Sequence, residues 1–239
     1  MKKKILVITG ANKGIGFATV KKFIDENWYV CACVRNVSSK LKSLIKNNGE
    51  IFNIELNSED SVKSCAKTIL SKIEKVDSLI NCAGTAYGNL FAMTKIQNLR
   101  EIFEINFFSQ ILFSQLISKK MIQKRSGAII NLSSIASIIA DDGTLAYGSS
   151  KAALSQATKV MAKELGKFEI RVNAVAPAFV QTEMGMLMDK KSIDLLNERG
   201  SLKGNILPQD IAELLFFLSS DKSKHISGQI IRIDKGMPF

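Results

Sequence analysis

A chain of 239 residues, 46% apolar and 23% charged, has enough material for one large core beneath an ordinary polar surface. No run approaches the roughly 18 apolar residues of a membrane span; LLFFL at 214–218, for one, has only five, so no membrane role is expected. The net charge of +11 comes from lysines spread along the chain, with one tight cluster (MKKK) and no zinc-finger spacing or RNA-binding aromatic pattern, which argues against nucleic acid and for an anionic substrate or cofactor.

The basic start MKKKILVITG is followed by an apolar stretch only a strand long, which runs into a glycine loop rather than a cleavage site. A signal peptide is therefore not expected, and a cytoplasmic protein is. Cys31, Cys33, Cys65 and Cys82 lack CxxC spacing, and the chain has a single histidine, His225. They read as small buried hydrophobes, with no metal site expected.

Apolar runs of strand length recur at 4–9, 28–34, 51–54, 77–82, 127–133, 170–176 and 229–233. Several are apolar at nearly every position, as in strands covered on both faces. Helical patterns lie between them, including GFATVKKFIDEN and SEDSVKSCAKTILSKI, the second opening on Ser58 as N-cap with Glu59 and Asp60 in its first turn. This alternation predicts an α/β fold: a Rossmann-like, doubly wound, seven-stranded parallel sheet flanked by helices, one domain over 1–239. Residues 183–206 are longer than an ordinary connection and carry Met184, Met186 and Met188; they are expected to form a lid over a substrate.

The first strand leads into TGANKGIGFATV, with Gly10, Gly14 and Gly16 at a strand-to-helix turn. There the backbone can approach a ligand closely, and the helix N-terminus offers its amides to a diphosphate. A carboxylate at the end of the second strand would hold ribose hydroxyls. This chain has Arg35 instead, with Lys13 in the glycine loop. Two cations and no anion there predict NADP(H) over NAD(H).

Further along, AYGSSKAALSQ (146–156) places Tyr147 and Lys151 four positions apart, one helical turn, with small residues between them. Together TGANKGIG, NCAG (81–84), NLSS (131–134) and YGSSK (147–151) closely resemble the short-chain dehydrogenase/reductase family, over essentially the whole chain. The resemblance implies that Tyr147 is the general acid, that Ser134 hydrogen-bonds the same carbonyl oxygen, and that Lys151 holds the nicotinamide ribose and lowers the tyrosine pKa. Asn106 matches the family's helix asparagine, which supports a water relay to the lysine. Gly10, Lys13, Gly14, Ile15 and Gly16 match the diphosphate loop, Glu55 and Leu56 the adenine contacts, and Asn81, Ala83 and Gly84 the ribose wall. Pro177, Val180 and Thr182 match the nicotinamide side. Cys82 and Ala178 depart from the usual asparagine and glycine. The lowered pKa has an independent rationale, since a free phenol titrates near ~10, and a neighbouring ammonium together with the positive nicotinamide of the oxidised cofactor favours phenolate.

The nearest branch is that of the 3-oxoacyl-(acyl-carrier-protein) reductases of fatty acid biosynthesis. Arg125 matches the first of two basic carrier-binding positions, while Phe168, beside Lys167, occupies the second. Reduction of a keto-sugar, polyol or other small carbonyl compound is the alternative. A non-catalytic cofactor-binding regulator is a third reading, which the intact Ser134, Tyr147, Lys151 and Asn106 disfavour. The resemblance also implies a homotetramer or homodimer built on long helices around 94–121 and 145–165.

Overall fold

The computed structural model describes residues 3–183, 185–187 and 190–238. Seven strands form one all-parallel sheet: β1 (Ile5–Thr9), β2 (Tyr29–Val34), β3 (Gly49–Asn53), β4 (Ser78–Asn81), β5 (Gly127–Leu132), β6 (Ile170–Pro177) and β7 (Ile230–Ile233). Their spatial order is β3-β2-β1-β4-β5-β6-β7. The order reverses between β1 and β4, and in such sheets the crevice for a ligand opens at the carboxyl ends of the two strands on either side of that switch.

The unbroken apolar runs follow from two covered faces. Leu6 and Ile8 of β1 pack with Val20 and Phe23 of α1 (Gly14–Asp25) and with Leu215 and Leu218 of a later helix, Pro208–Ser219. Val7 between them faces the opposite layer, with Val62 and Ile69 of Glu59–Lys72 and Phe113 and Ile117 of Ser109–Lys124. In chain order the helices are α1, α2 (Ser39–Ile45), α3 (Glu59–Lys72), α4 (Ile96–Phe103), α5 (Ser109–Lys124), α6 (Leu145–Leu165), α7 (Lys190–Glu198) and α8 (Pro208–Ser219). Ser58 caps α3 as expected, its hydroxyl accepting from the Ser61 amide at 3.3 Å. Cys31, Cys33 and Cys65 sit in the core layer beneath α3. Among the described residues no helix is long and apolar enough to cross a membrane.

The structure departs from the expected continuous helix over 94–121. A π-helical turn, Glu104–Phe108, separates α4 from α5 and carries Asn106 at its centre. Such turns widen the helix locally and recur at functional sites.

The segment after β6 is bound to the body at several points. Val180 bridges to Ile206. Arg199, just past α7, donates from Nη1 to both carboxylate oxygens of Asp141, at 2.7 and 3.0 Å. Lys235 Nζ reaches the Asn197 and Gly204 carbonyls, both at 3.1 Å. Of the three methionines in the expected lid, Met186 is exposed, while Met184 and Met188 lie outside the described residues.

Candidate active site

The carboxyl ends of β1 and β4 are stitched together by Thr9, whose hydroxyl accepts from the Cys82 and Ala83 amides, each at 3.1 Å. The turn after β1 has no room for a side chain at Gly10 or Gly16. Gly10 sits at φ +71°, and a Cβ there would lie 2.8 Å from the Ala83 backbone. On Gly16 it would come within 2.1 Å of the Gly10 carbonyl oxygen. Such crowding forces glycine, and glycine in turn brings the bare backbone and the first amides of α1 to the cleft. This cradle fits the diphosphate of a dinucleotide.

Most of the expected cofactor residues lie at or just beyond the carboxyl ends of β1 to β4 and β6. Gly14 and Ile15 begin α1. Asn12 Oδ1 accepts from the Ser38 amide at 2.9 Å, drawing the loops after β1 and β2 together, so that Lys13 and Arg35, both exposed, flank one region. Glu55 is exposed beyond β3, while Leu56 is buried with its carbonyl bonded by the Ser109 hydroxyl. Ala83 and Gly84 are half-buried at the end of β4. Pro177 ends β6, Val180 follows it, and the Thr182 methyl would be 3.2 Å from a Cβ on Gly14. Asn81 differs from expectation. Its side chain is 1% exposed and donates to Ser114 Oγ at 2.7 Å and Asn131 Oδ1 at 2.8 Å. The side chain therefore braces the polar core between β4 and β5, which leaves only the backbone of Asn81 to face the cleft.

Ser134, Tyr147, Lys151 and Asn106 converge beside this cradle. Ser134 follows β5, and its hydroxyl accepts from the Ala136 amide at 3.2 Å and bonds the Tyr147 phenol. Lys151, 3% exposed, donates to the Leu132 carbonyl at 2.7 Å, with its Nζ 5.9 Å from the Tyr147 ring centre. Asn106 is fully buried, accepting from the Thr85 amide at 2.8 Å and donating to the Thr85 carbonyl at 2.9 Å and Ser150 Oγ at 3.1 Å. Gly84 is where Asn106 and Lys151 approach each other, since a Cβ there would lie 3.2 Å from Asn106 Oδ1 and 3.3 Å from Lys151 Nζ.

The expected lowering of the tyrosine pKa draws on two positive charges, the Lys151 ammonium and the nicotinamide of the oxidised cofactor. Burial holds the Tyr147 phenol above its ordinary value, and its Ser134 hydrogen bond is the influence that pulls it down. The Lys151 ammonium is turned to the Leu132 carbonyl, and burial lowers its own pKa to about 8. Cys82, where the family has asparagine, is pushed up to about 12 by burial, with Lys151 opposing.

Sequence reasoning missed a hydroxyl cluster under the site. Ser133 Oγ lies 2.7 Å from Ser155 Oγ and donates to the Lys151 carbonyl at 3.2 Å, while Ser137 Oγ donates to the Ser134 carbonyl at 2.7 Å. The signal was present as three serines in SSIAS followed by one at helical spacing after Lys151. It also missed Thr9, and Gln110, whose amide holds the Ala83 carbonyl at 3.1 Å.

Beyond Ser134, a cleft of about 520 Å³ is lined by Ile138, Ile139, Ala140, Met237 and Pro238, with the Asp141–Arg199 pair on its wall. Arg125, by contrast, precedes β5, and Ser134 follows it; a six-residue strand separates them by about 20 Å. Its guanidinium bonds the Lys167 carbonyl at 2.9 Å. Arg125 and Lys167 thus share a surface at the opposite end of the sheet from the cluster.

Comparison with known proteins agrees with this geometry. The profile of a family described as enoyl-(acyl carrier protein) reductase matches residues 10–238. The chain is 32% identical to a 3-oxoacyl-[acyl-carrier-protein] reductase of Thermotoga maritima, over 98% of this chain and 97% of that one. The solved structure of ElxO with NADP bound superposes with a TM-score of 0.91 at 26% identity, covering 99% of both chains. At 23% identity, a short-chain dehydrogenase/reductase family protein shares the fold with a TM-score of 0.88, covering 98% of this chain and 96% of that one. The chain belongs to the short-chain dehydrogenase/reductase family of oxidoreductases.

Proposed function

We propose that this protein is an NADPH-dependent reductase that converts the ketone of a 3-oxoacyl thioester, presented on acyl carrier protein, to a secondary alcohol. The observation that carries the reading is the clustering of Ser134 and Lys151 about the Tyr147 phenol, with the Lys151 ammonium also against Gly84 at the end of β4. A reduced nicotinamide bound there supplies hydride to the carbonyl carbon. The chain's residues do the rest. A phenol whose pKa is raised by burial is fully protonated at neutral pH, which suits Tyr147 to donate its proton to the carbonyl oxygen. Ser134, already bonded to that phenol, is placed to hold the same oxygen. Lys151, one turn on, faces the phenolate left behind and lessens the cost of forming it in an enclosed site. The π-turn and the Asn106 bonds to Thr85 fix the floor on which Lys151 rests.

Lys13 and Arg35 beside the cradle, with no carboxylate ending β2, support the phosphorylated cofactor. The apolar cleft beyond Ser134 supports an acyl chain over a sugar, because its two charged residues are already paired with each other. The carrier reading draws on the relative in Thermotoga maritima. Phe108 and Val160, about half exposed on the π-turn and α6, favour assembly into a dimer or tetramer. The test is NADPH oxidation by the purified protein with acetoacetyl thioesters, small diketones and keto-sugars. Turnover of the thioesters is expected; turnover of a keto-sugar with none of the thioesters overturns the substrate.

A further inference from the structure

One of the two cations beside the cradle already has a counter-ion. Lys13 Nζ lies 3.2 Å from Glu183 Oε2. Glu183 opens the segment that follows β6, and its neighbour Thr182 packs against Gly14 of the same loop. The root of that segment therefore rests on the glycine loop through one van der Waals contact and one ion pair.

We propose that Glu183 is a specificity-determining residue for the cofactor, holding Lys13 until a 2′-phosphate displaces it. The proposal rests on the cofactor reading above. A phosphate monoester carries close to two negative charges at neutral pH and makes strong charge-assisted bonds to an ammonium. It competes effectively with a single carboxylate, whereas a ribose hydroxyl does not. A cofactor lacking the phosphate leaves the Lys13–Glu183 pair intact. One that carries it must take the lysine and then repels the freed carboxylate. The side chains are 60% and 74% exposed, so solvent and salt screen the pair, and the penalty it sets is modest. Glu183 thus weakens binding of the phosphorylated cofactor alone, and it links phosphate capture to release of the segment's first residue from the glycine loop.

The experiment measures dissociation constants for NADP+ and NAD+ by fluorescence titration at low and high potassium chloride, in wild type, Glu183→Gln and Lys13→Met. Glu183→Gln is expected to tighten NADP+ about two- to fivefold at low salt and to leave NAD+ unchanged, with the gain shrinking at high salt. An NADP+ affinity that is unchanged or weaker in Glu183→Gln, or an equal gain for NAD+, overturns the proposal. Lys13→Met separates the two layers of the argument. If it weakens NADP+ while Glu183→Gln has no effect, Glu183 falls and the phosphate role of Lys13 stands. If Lys13→Met leaves NADP+ binding unchanged, both fall.

Discussion

Lys151 and Leu132 are joined by a 2.7 Å hydrogen bond from the lysine ammonium to the carbonyl that ends β5, one helical turn from Tyr147. This bond ties the cation of α6 to the strand that leads to Ser134. It also keeps a charge where burial disfavours it, and the Lys151 pKa falls to about 8. The consequence for stability can be signed. Below pH 8 the lysine is charged in both folded and unfolded chains, and burial of the charge costs stability. Between that value and the unfolded pKa of 10.5 the unfolded chain binds the extra proton, so this group makes stability rise with pH. Relative to Lys151→Met, wild type is expected to gain about 2 kcal/mol between about pH 7 and 9.5. Urea unfolding of both proteins across that range measures it. A flat difference would show that the lysine is not desolvated as the geometry implies.

Tyr147→Phe removes the proton donor and leaves the ring. A loss of about 10²- to 10⁴-fold in kcat is expected, the usual worth of a positioned general acid. The cofactor dissociation constant is expected to stay within about twofold, because phenylalanine keeps the ring and the substitution leaves the glycine cradle unchanged. Single-turnover kinetics and a binding titration read the two quantities separately, and undiminished turnover rules out Tyr147 as the acid.

Gly10 and Gly84 are expected to respond differently to alanine. At Gly10 the added methyl meets the Ala83 backbone at 2.8 Å in a left-handed conformation that L residues resist. Gly10→Ala should cost at least about 1–2 kcal/mol of stability and most of the cofactor affinity. At Gly84 the methyl meets only side-chain ends, Asn106 Oδ1 at 3.2 Å and Lys151 Nζ at 3.3 Å. Those atoms can yield by a few tenths of an ångström, so Gly84→Ala should fold nearly as well as wild type and lose activity by displacing Lys151. Melting temperature set against kcat separates the two. Equal losses of stability would contradict the distinction.

The strands were legible because each alternates between two apolar layers, as Leu6, Val7 and Ile8 do, leaving runs without a polar break. β3 begins two residues earlier than its apolar run because Gly49, itself silent in such a pattern, lets the chain come against Val30, where a Cβ would be 2.0 Å from the carbonyl oxygen. The site was legible through motifs whose spacing is local: a glycine turn, and a tyrosine and lysine one helical turn apart. Long-range partners were not. Nothing near Asn81 in sequence signals that its amide serves Ser114 and Asn131, or that Lys13 faces Glu183. The polypeptide's own contribution to the Tyr147 pKa was hidden for the same reason. Spacing alone gives the distance between a cation and a phenol, while the shift depends on what else encloses them, here burial and the Leu132 carbonyl.

The serine cluster gives the last prediction. Ser133 binds the Lys151 carbonyl, Ser137 binds that of Ser134, and Ser155 holds Ser133 at 2.7 Å. Ser155 touches neither the phenol nor the lysine ammonium, so it acts only by positioning the two backbones against each other. Deleting its hydroxyl leaves the buried Ser133 short of a partner, at an expected cost of about 1 kcal/mol. Ser155→Ala should therefore lower the melting temperature slightly and lower kcat severalfold, with KM for the cofactor unchanged, because the acid and the group that orients the substrate oxygen lose their fixed spacing. Ser155→Thr keeps the hydroxyl and should recover kcat. A purely structural role predicts a lower melting temperature with kcat of the folded enzyme intact, and that result would remove Ser155 from the catalytic argument.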